Sequence, residues 1–275
     1  MSLFGTYRLQ ELVNNGGLAE LWMATDEDGY HVAVRKMHEH LLKESSAPKL
    51  FKRGCEILAK LPPHEHIVRY ITHGKIKKFP FLALEYIEGA NLKALILRED
   101  PLLGEMLSDI LYAMAAGLDH LHNSGVMHLD FKPENVMVSH GGRVLIVDFD
   151  TALPLPKKPE KLDKNSGTPG YMAPEQLRGE PMDQRADIFA FGLVAYELLT
   201  QRKPFAGDTP EDGVRKILDD NFRIKSIREH NEYVPADVEQ IIMKCLQRDL
   251  FARWPSMTFV AAKLRVALGV KLVAA

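Results

Sequence analysis

Residues 128–150 constrain this chain more than any other stretch. HLDFKPENVMV (128–138) is followed by VLIVDFD (144–150), so Asp130, Lys132, Asn135 and Asp148 come close together in the sequence. The apolar runs between them read as short strands. Polar groups on loops beside short strands can be gathered by a cleft. The rest of the chain must therefore fold so as to build one.

The flanking sequence divides into two unlike parts. Residues 7–37 alternate in short bursts, YRLQELV, ELWMAT and HVAVRKM, separated by Gly16-Gly17 and by Asp28-Gly29. They predict three antiparallel strands. Residues 47–61 switch to helical spacing, with Leu50, Cys55, Ile57, Leu58 and Leu61, and Pro62-Pro63 ends that helix. Two more strands are expected near 67–73 and 80–86, and Gly89-Ala90-Asn91 breaks the pattern. Beyond it, Met106–His122 and 185–200 are long and helical in spacing. The stretch 153–167 is rich in Pro and Lys and reads as a surface loop. This gives an α+β chain with a β-rich part over 1–86 and a mostly helical part over 87–275.

Bulk numbers narrow the function classes. The chain has 275 residues, 46% hydrophobic and 26% charged, with a formal net charge of −2. That balance gives no basis for nucleic acid or an anionic membrane as the main partner. Cys55 and Cys245 form no CxxC, so a disulfide or zinc framework is not expected and a reducing, cytoplasmic setting fits. ADIFAFGLVAYELL (186–199) is interrupted by Asp187 and Glu197 and reads as a buried core helix rather than a membrane span. FVAAKLRVALGVKLVAA (259–275) carries Lys263, Arg265 and Lys271 and predicts an amphipathic helix.

With these motifs in order, the chain resembles the protein kinases. HLDFKPENVMV resembles their catalytic loop, VLIVDFD stands at their metal-binding DFG, and GTPGYMAPE (167–175) resembles the end of an activation segment. DIFAFG (187–192) and RDLFARWPS, with Asp249 and Arg253, supply further landmarks. Lys132, two after Asp130, and GTPGYMAPE point to the Ser/Thr type. The resemblance implies a bilobal kinase fold, with a small β-rich lobe holding one main helix and a larger helical lobe. It implies ATP, Mg²⁺ or Mn²⁺, and a protein substrate or binding partner.

Phosphoryl transfer needs an oriented hydroxyl, cations on the phosphates and in-line placement. Asp130 can orient a hydroxyl and accept its proton, Lys132 can bring positive charge to the moving group, and Asn135 and Asp148 offer hard oxygen ligands. The resemblance places Thr168 in the activation segment beside them. It assigns Val13, Leu21 and Ala33 to the roof of the adenine site and Met137 to its floor. Leu84 falls at the gatekeeper position and Glu85 to Ile87 at the hinge. On their own these are apolar strand residues that also suit ordinary core.

The departures from the family cluster on the ATP-clamping side. The pattern G-x-G-x-x-G meets Asn14, Gly16 and Ala19, with Gly17 adjacent. Arg35 in VAVRKM takes the place of the phosphate-anchoring Lys. Strand alternation points Lys36 to the opposite face unless a bulge intervenes. In FKRGCEILAKL (51–61) Gly54 falls at the helix Glu that pairs with that Lys, and Leu50, Phe51, Ile57 and Leu58, which share its face, are not acidic. Room for the larger Arg35 is one use for Gly54. Asp150 replaces the glycine of DFG, either as the countercharge of Arg35, as an extra metal contact, or as a solvated turn residue. Leu129 replaces the Arg of His-Arg-Asp, so phosphorylation at Ser166 or Thr168 is not expected to be needed.

Glu175 and Arg253 match a structural ion pair of the family. The HEH triplets at 38–40 and 64–66 lack metal spacing and read as ordinary surface histidines. Lys157, Lys158, Lys161 and Lys164 form a basic loop. Three functions fit: an active Ser/Thr kinase, a pseudokinase acting as nucleotide sensor or scaffold, and nucleotidyl transfer on a kinase fold.

Overall fold

Alternating apolar residues in the first part of the chain give one antiparallel sheet. The computed structural model describes residues 2–44, 46–162 and 167–270. Its first sheet contains β1 (Ser2–Phe4), β2 (Tyr7–Asn15), β3 (Ala19–Thr25), β4 (His31–Met37), β5 (Tyr70–Ile76) and β6 (Phe79–Glu85), in the order β1-β2-β3-β4-β6-β5. β3 and β4 pair without a register shift, Leu21 facing Arg35 and Met23 facing Ala33. Arg35 and Ala33 therefore share one face with Leu82 and Leu84, their partners on β6. Helix α1 (Ala47–Lys60) covers that face with Phe51, Cys55 and Leu58.

The opposite face has its own small core of Phe4, Tyr7, Leu9, Ala24, Val32, Val34, Phe81 and Ala83. Phe4 meets Phe81 edge to face at 6.0 Å. Lys36 lies on this face, its ammonium 4.9 Å from the Phe79 ring centre and 3.4 Å from Glu20. The short strand β1 closes the patch. Three residues, SLF, are too few to carry a periodic signal, so this strand is not readable from the sequence.

The second part is helical. After β7 (Gly89–Asn91) come α2 (Leu92–Arg98), α3 (Leu102–Glu105) and α4 (Leu107–Asn123). The site loops follow, framed by β8 (Val126–Met127), β9 (Val136–Ser139), β10 (Val144–Ile146) and β11 (Leu153–Pro154). β9 lies between β10 and β7, and β8 pairs with β11. The chain ends in α5 (Pro174–Arg178), α6 (Arg185–Thr200), α7 (Pro210–Leu218), α8 (Ala236–Cys245) and α9 (Met257–Ala267). The result is a β-rich lobe and a helical lobe, an α+β architecture.

Helix α6 is buried on every side, all but its first residue, Asp187 and Glu197 included, so it forms the centre of the helical lobe. The stretch 153–167 is not wholly irregular: Leu153 and Pro154 pair with Met127 and Val126, and Glu160 bridges Met182. Helix α9 begins and ends earlier than its spacing predicts, and Gly269 follows it at φ 65°. Lys164, Ser166 and Lys271 lie outside the described residues. Among those described, no helix is long and apolar enough to cross a membrane.

The connector after α1 is fixed to α4. The Gly117 Cα faces the His66 carbonyl so closely that a Cβ would come within 3.2 Å of it. The ring of His64 stacks on His120 at 4.4 Å, and its Nδ1 accepts from the His66 N–H at 3.2 Å. Burial, with His120 and His66 beside it, pushes His64 down to about 4. A folded state that holds this imidazole neutral is fully stabilised above pH 6.5 and loses that stability as the pH falls toward 4. With partial exposure discounted, the loss is about 1–2 kcal/mol. Thermal melts should therefore fall across this range, and the fall should shrink in His64→Phe. An unchanged acid dependence in that variant would exclude His64 as a source.

Candidate active site

The polar groups of the loop after β8 converge. Lys132 donates from Nζ to Asp130 Oδ2 at 2.6 Å and to Thr168 Oγ1 at 2.7 Å. Thr168 donates to Asp130 Oδ1 at 2.8 Å, closing a triangle. Asn135 donates from Nδ2 to the Asp130 carbonyl at 2.8 Å, which leaves its Oδ1 free of that bond. Asp130, Lys132, Asn135 and Thr168 are thus one cluster.

The backbone beneath this cluster is held from the core. Asp187 on α6, fully buried, accepts from the backbone N–H groups of His128 and Leu129, both at 2.8 Å, and pairs with His122 Nε2 at 2.9 Å. Burial raises the Asp187 carboxyl, but His122, His128 and these N–H groups together hold it below its ordinary value. Leu129 sits at φ 63°, a costly conformation for a leucine that these bonds maintain. Its carbonyl accepts from Gln176 at 3.1 Å. Glu175 and Arg253 form a buried two-pronged pair, both contacts at 2.7 Å, tying α5 to the end of the helical lobe.

Arg35 crosses from β4 to the loop after β10. Its guanidinium meets Asp150 through both prongs, Nη1 to Oδ1 at 3.0 Å and Nη2 to Oδ2 at 2.5 Å, and Nη1 also reaches Asp148 Oδ1 at 3.3 Å. Phe51 of α1 lies under it, with the ring centre 5.6 Å away. Burial works against the charged form, but Asp150 and Asp148 raise the Arg35 pKa above its ordinary value. Of the sequence alternatives for Asp150, the structure has the countercharge: both carboxylate oxygens are engaged by Arg35. Lys36 points away, as strand alternation requires.

Gly54 does not make room for Arg35. A Cβ there would lie 2.7 Å from the Phe149 carbonyl oxygen and 3.1 Å from the Asp150 Cα. The missing side chain lets the backbone of 149–150 press against α1, which sets Asp150 facing Arg35. Of the uses open to Gly54, room for Arg35 is not the one found.

Two carboxylates share one guanidinium. Burial, then the neighbouring Asp148, push Asp150 up to about 6 against the pull of Arg35. Burial also raises Asp148, but Arg35, the Asp150 N–H and His128 hold it below its ordinary range. Asp148 is the more open, its side chain 37% exposed against 14% for Asp150. The donor set of Asn135 Oδ1 and an ionised Asp148 suits a hard divalent cation.

The residues assigned to a base-binding slot span both lobes. Val13 on β2 is 48% exposed, Leu21 and Ala33 lie on β3 and β4, and Leu84 on β6 is buried. Ala33 and Leu84 are direct cross-strand partners, as are Asn14 and Leu21. Met137 lies on β9 of the helical lobe, opposite Asn91. Glu85 accepts from Arg143 at 3.0 and 3.2 Å and from the Arg69 N–H at 2.8 Å, so its side chain is committed to the scaffold. Ile87 packs against the main core. Sequence reasoning missed His38, whose Nε2 lies 2.7 Å from the Gly16 carbonyl. No local pattern marks a contact made between neighbouring strand ends.

Residues 7–264 match the family model described as the protein kinase domain. The chain belongs to the protein kinase family. It is 30% identical over 262 residues to a probable serine/threonine-protein kinase of Streptomyces coelicolor, covering 92% of this chain and 38% of that relative. It is 29% identical over 266 residues to the serine/threonine-protein kinase PrkC of Bacillus subtilis, covering 96% and 40%. The serine/threonine-protein kinase PknB of Mycobacterium tuberculosis is 28% identical over 266 residues, covering 94% and 42%. The chain thus spans about two fifths of the length of these relatives.

Two substitutions test the rebuilt contact. Gly54→Ala should gain about 1 kcal/mol from helix propensity alone. The collision with the Phe149 carbonyl should reverse the sign and destabilise by about 1–3 kcal/mol in chemical denaturation. Asp150→Gly restores the family's residue but strips Arg35 of its main countercharge. With Asp148 still nearby, we expect a loss of about 2 kcal/mol by the same measurement. A stabilised Gly54→Ala, or a neutral Asp150→Gly, would refute the arrangement.

Proposed function

We propose that this domain binds ATP with a divalent metal ion and transfers the γ-phosphate to serine or threonine hydroxyls of a protein. The observation that carries the reading is the convergence of Asp130, Lys132, Asn135 and Thr168 into one hydrogen-bonded cluster. Asp130 would take the proton of an incoming hydroxyl. Lys132 supplies positive charge beside the same carboxylate. Asn135 and Asp148 would hold the metal ion, which neutralises charge on the phosphates when bound. Asn14 and Gly16 would lie over the phosphates. Val13, Leu21, Ala33, Leu84 and Met137 would enclose the base, with backbone groups of Glu85 to Ile87 binding its edge. Arg35 would take the role of phosphate anchor, oriented by Asp150.

The test is incorporation of labelled phosphate into a generic basic protein, with Asp130→Ala as control. We expect incorporation to fall at least about a hundredfold in Asp130→Ala while ATP binding by calorimetry is retained. Binding without incorporation would make the domain a nucleotide sensor, incorporation of AMP would make it a nucleotidyl transferase, and no binding would make it a scaffold. The double variant Arg35→Lys with Gly54→Glu restores the family's residues, yet it should lower ATP affinity, because the side chain at 54 would displace the 149–150 backbone that carries Asp150. A gain in affinity would refute the Arg-based clamp.

Activity should not require phosphorylation of the activation segment. Leu129 offers no cation there, and the Thr168 hydroxyl is already held between Asp130 and Lys132. Phosphatase-treated protein is therefore expected to keep its activity. Loss of activity on treatment would refute this expectation.

A further inference from the structure

The hairpin between β2 and β3 retains Gly16 where the family pattern has three glycines, and carries Asn14 and Ala19 at the other two. Its tip closes on one internal bond, Gly16 N–H to Ala19 carbonyl at 3.1 Å. Two carbonyls of the tip are then taken by one residue outside the hairpin. His38, the residue after β4, donates its backbone N–H to the Leu18 carbonyl at 3.1 Å. Its ring Nε2 lies 2.7 Å from the Gly16 carbonyl. A carbonyl oxygen can only accept, so Nε2 carries the hydrogen. The ring is steadied by His40, stacked on it at 5.2 Å and 23°. No other side chain hydrogen-bonds the 16–19 backbone among the described residues.

A loop with three glycines adapts to its ligand and loses conformational freedom on binding. A loop pinned at its tip has lost part of that freedom beforehand. We propose that His38 is a positioning residue for this hairpin, holding its tip where the Gly17 backbone N–H meets the phosphates of the nucleotide. The proposal rests on the ATP-binding reading above and adds a residue to it. The ring bond is the variable part, since the backbone bond to Leu18 survives any substitution except proline.

Two variants separate the hydrogen bond from the bulk of the ring. His38→Phe keeps an aromatic ring and removes the donor. His38→Gln places an amide N–H near the position of Nε2. The first readout is hydrogen exchange of the Gly16 amide by NMR in nucleotide-free protein, and the second is the Kd for Mg-ATP by calorimetry. One net hydrogen bond corresponds to about a three- to tenfold change. We expect His38→Phe to speed Gly16 exchange and weaken ATP by that factor, and His38→Gln to restore both. Unchanged Gly16 exchange in His38→Phe, or equal effects of both variants, overturns the pin. Faster exchange with unchanged ATP affinity overturns the positioning role while leaving ATP binding intact. A parent protein that binds no ATP overturns the nucleotide reading itself, and the positioning role with it.

Discussion

A guanidinium shut between a sheet, a helix and a loop must find its countercharge there, and in this chain that requirement fixes the geometry of the lobe interface. Arg35 is largely removed from solvent, and a buried charge deprived of its partner destabilises a protein by about 3–5 kcal/mol. The helix that covers Arg35 has no acidic residue on the relevant face. The charge comes instead from the loop after β10, through both oxygens of Asp150. That loop reaches Arg35 only because Gly54 lets its backbone lie against α1. Arg35, Gly54 and Asp150 are therefore one arrangement. Each is unfavourable without the other two.

The same arrangement divides the labour of two neighbouring carboxylates. Asp150 is the less exposed and is raised by burial and by Asp148. Asp148, the more exposed, is held below its ordinary range because Arg35 and the Asp150 N–H outweigh its own burial. Such groups titrate as a unit, so the first proton taken up belongs to the pair. The more exposed of the two, Asp148, follows Val147, whose N–H donates to the Asn135 carbonyl at 2.9 Å. A guanidinium that is paired to its own loop can thus coexist with a second, more exposed carboxylate beside it.

Much of this was legible in the sequence, for identifiable reasons. Periodicity gave β2, β3, β4, α1, α4 and α6 because each is long enough to show its repeat. It missed β1, which has three residues, and the second small core behind the sheet that β1 closes. The convergence of Asp130, Lys132 and Asn135 could be anticipated because they are neighbours on one loop. Asp150 as partner of Arg35 was one of three readings, since strand and loop are far apart in sequence and only packing decides among them. The use of Gly54 stays open in the sequence for the same reason: a missing side chain does not announce which neighbour fills its space. His38 was passed over as a surface histidine because its partner is a backbone carbonyl, which no residue pattern records.

The helical lobe tolerates its departure differently. Leu129 removes a cation from the catalytic loop, yet the shape of that loop depends on its backbone. Asp187 holds the N–H groups of residues 128 and 129, and Gln176 holds the Leu129 carbonyl, all independent of the side chain at 129. Gly167 passes so close to that carbonyl that a Cβ would come within 2.8 Å. The end of the activation segment is therefore attached by shape here and by the Lys132–Thr168 bond next to it, both formed without a phosphate. A leucine, 6% exposed among these contacts, contributes packing where an arginine would need an anion. In the β-rich lobe a changed cation required two compensating residues, whereas in this one a lost cation required none, because the load was already carried by backbone groups and a buried aspartate.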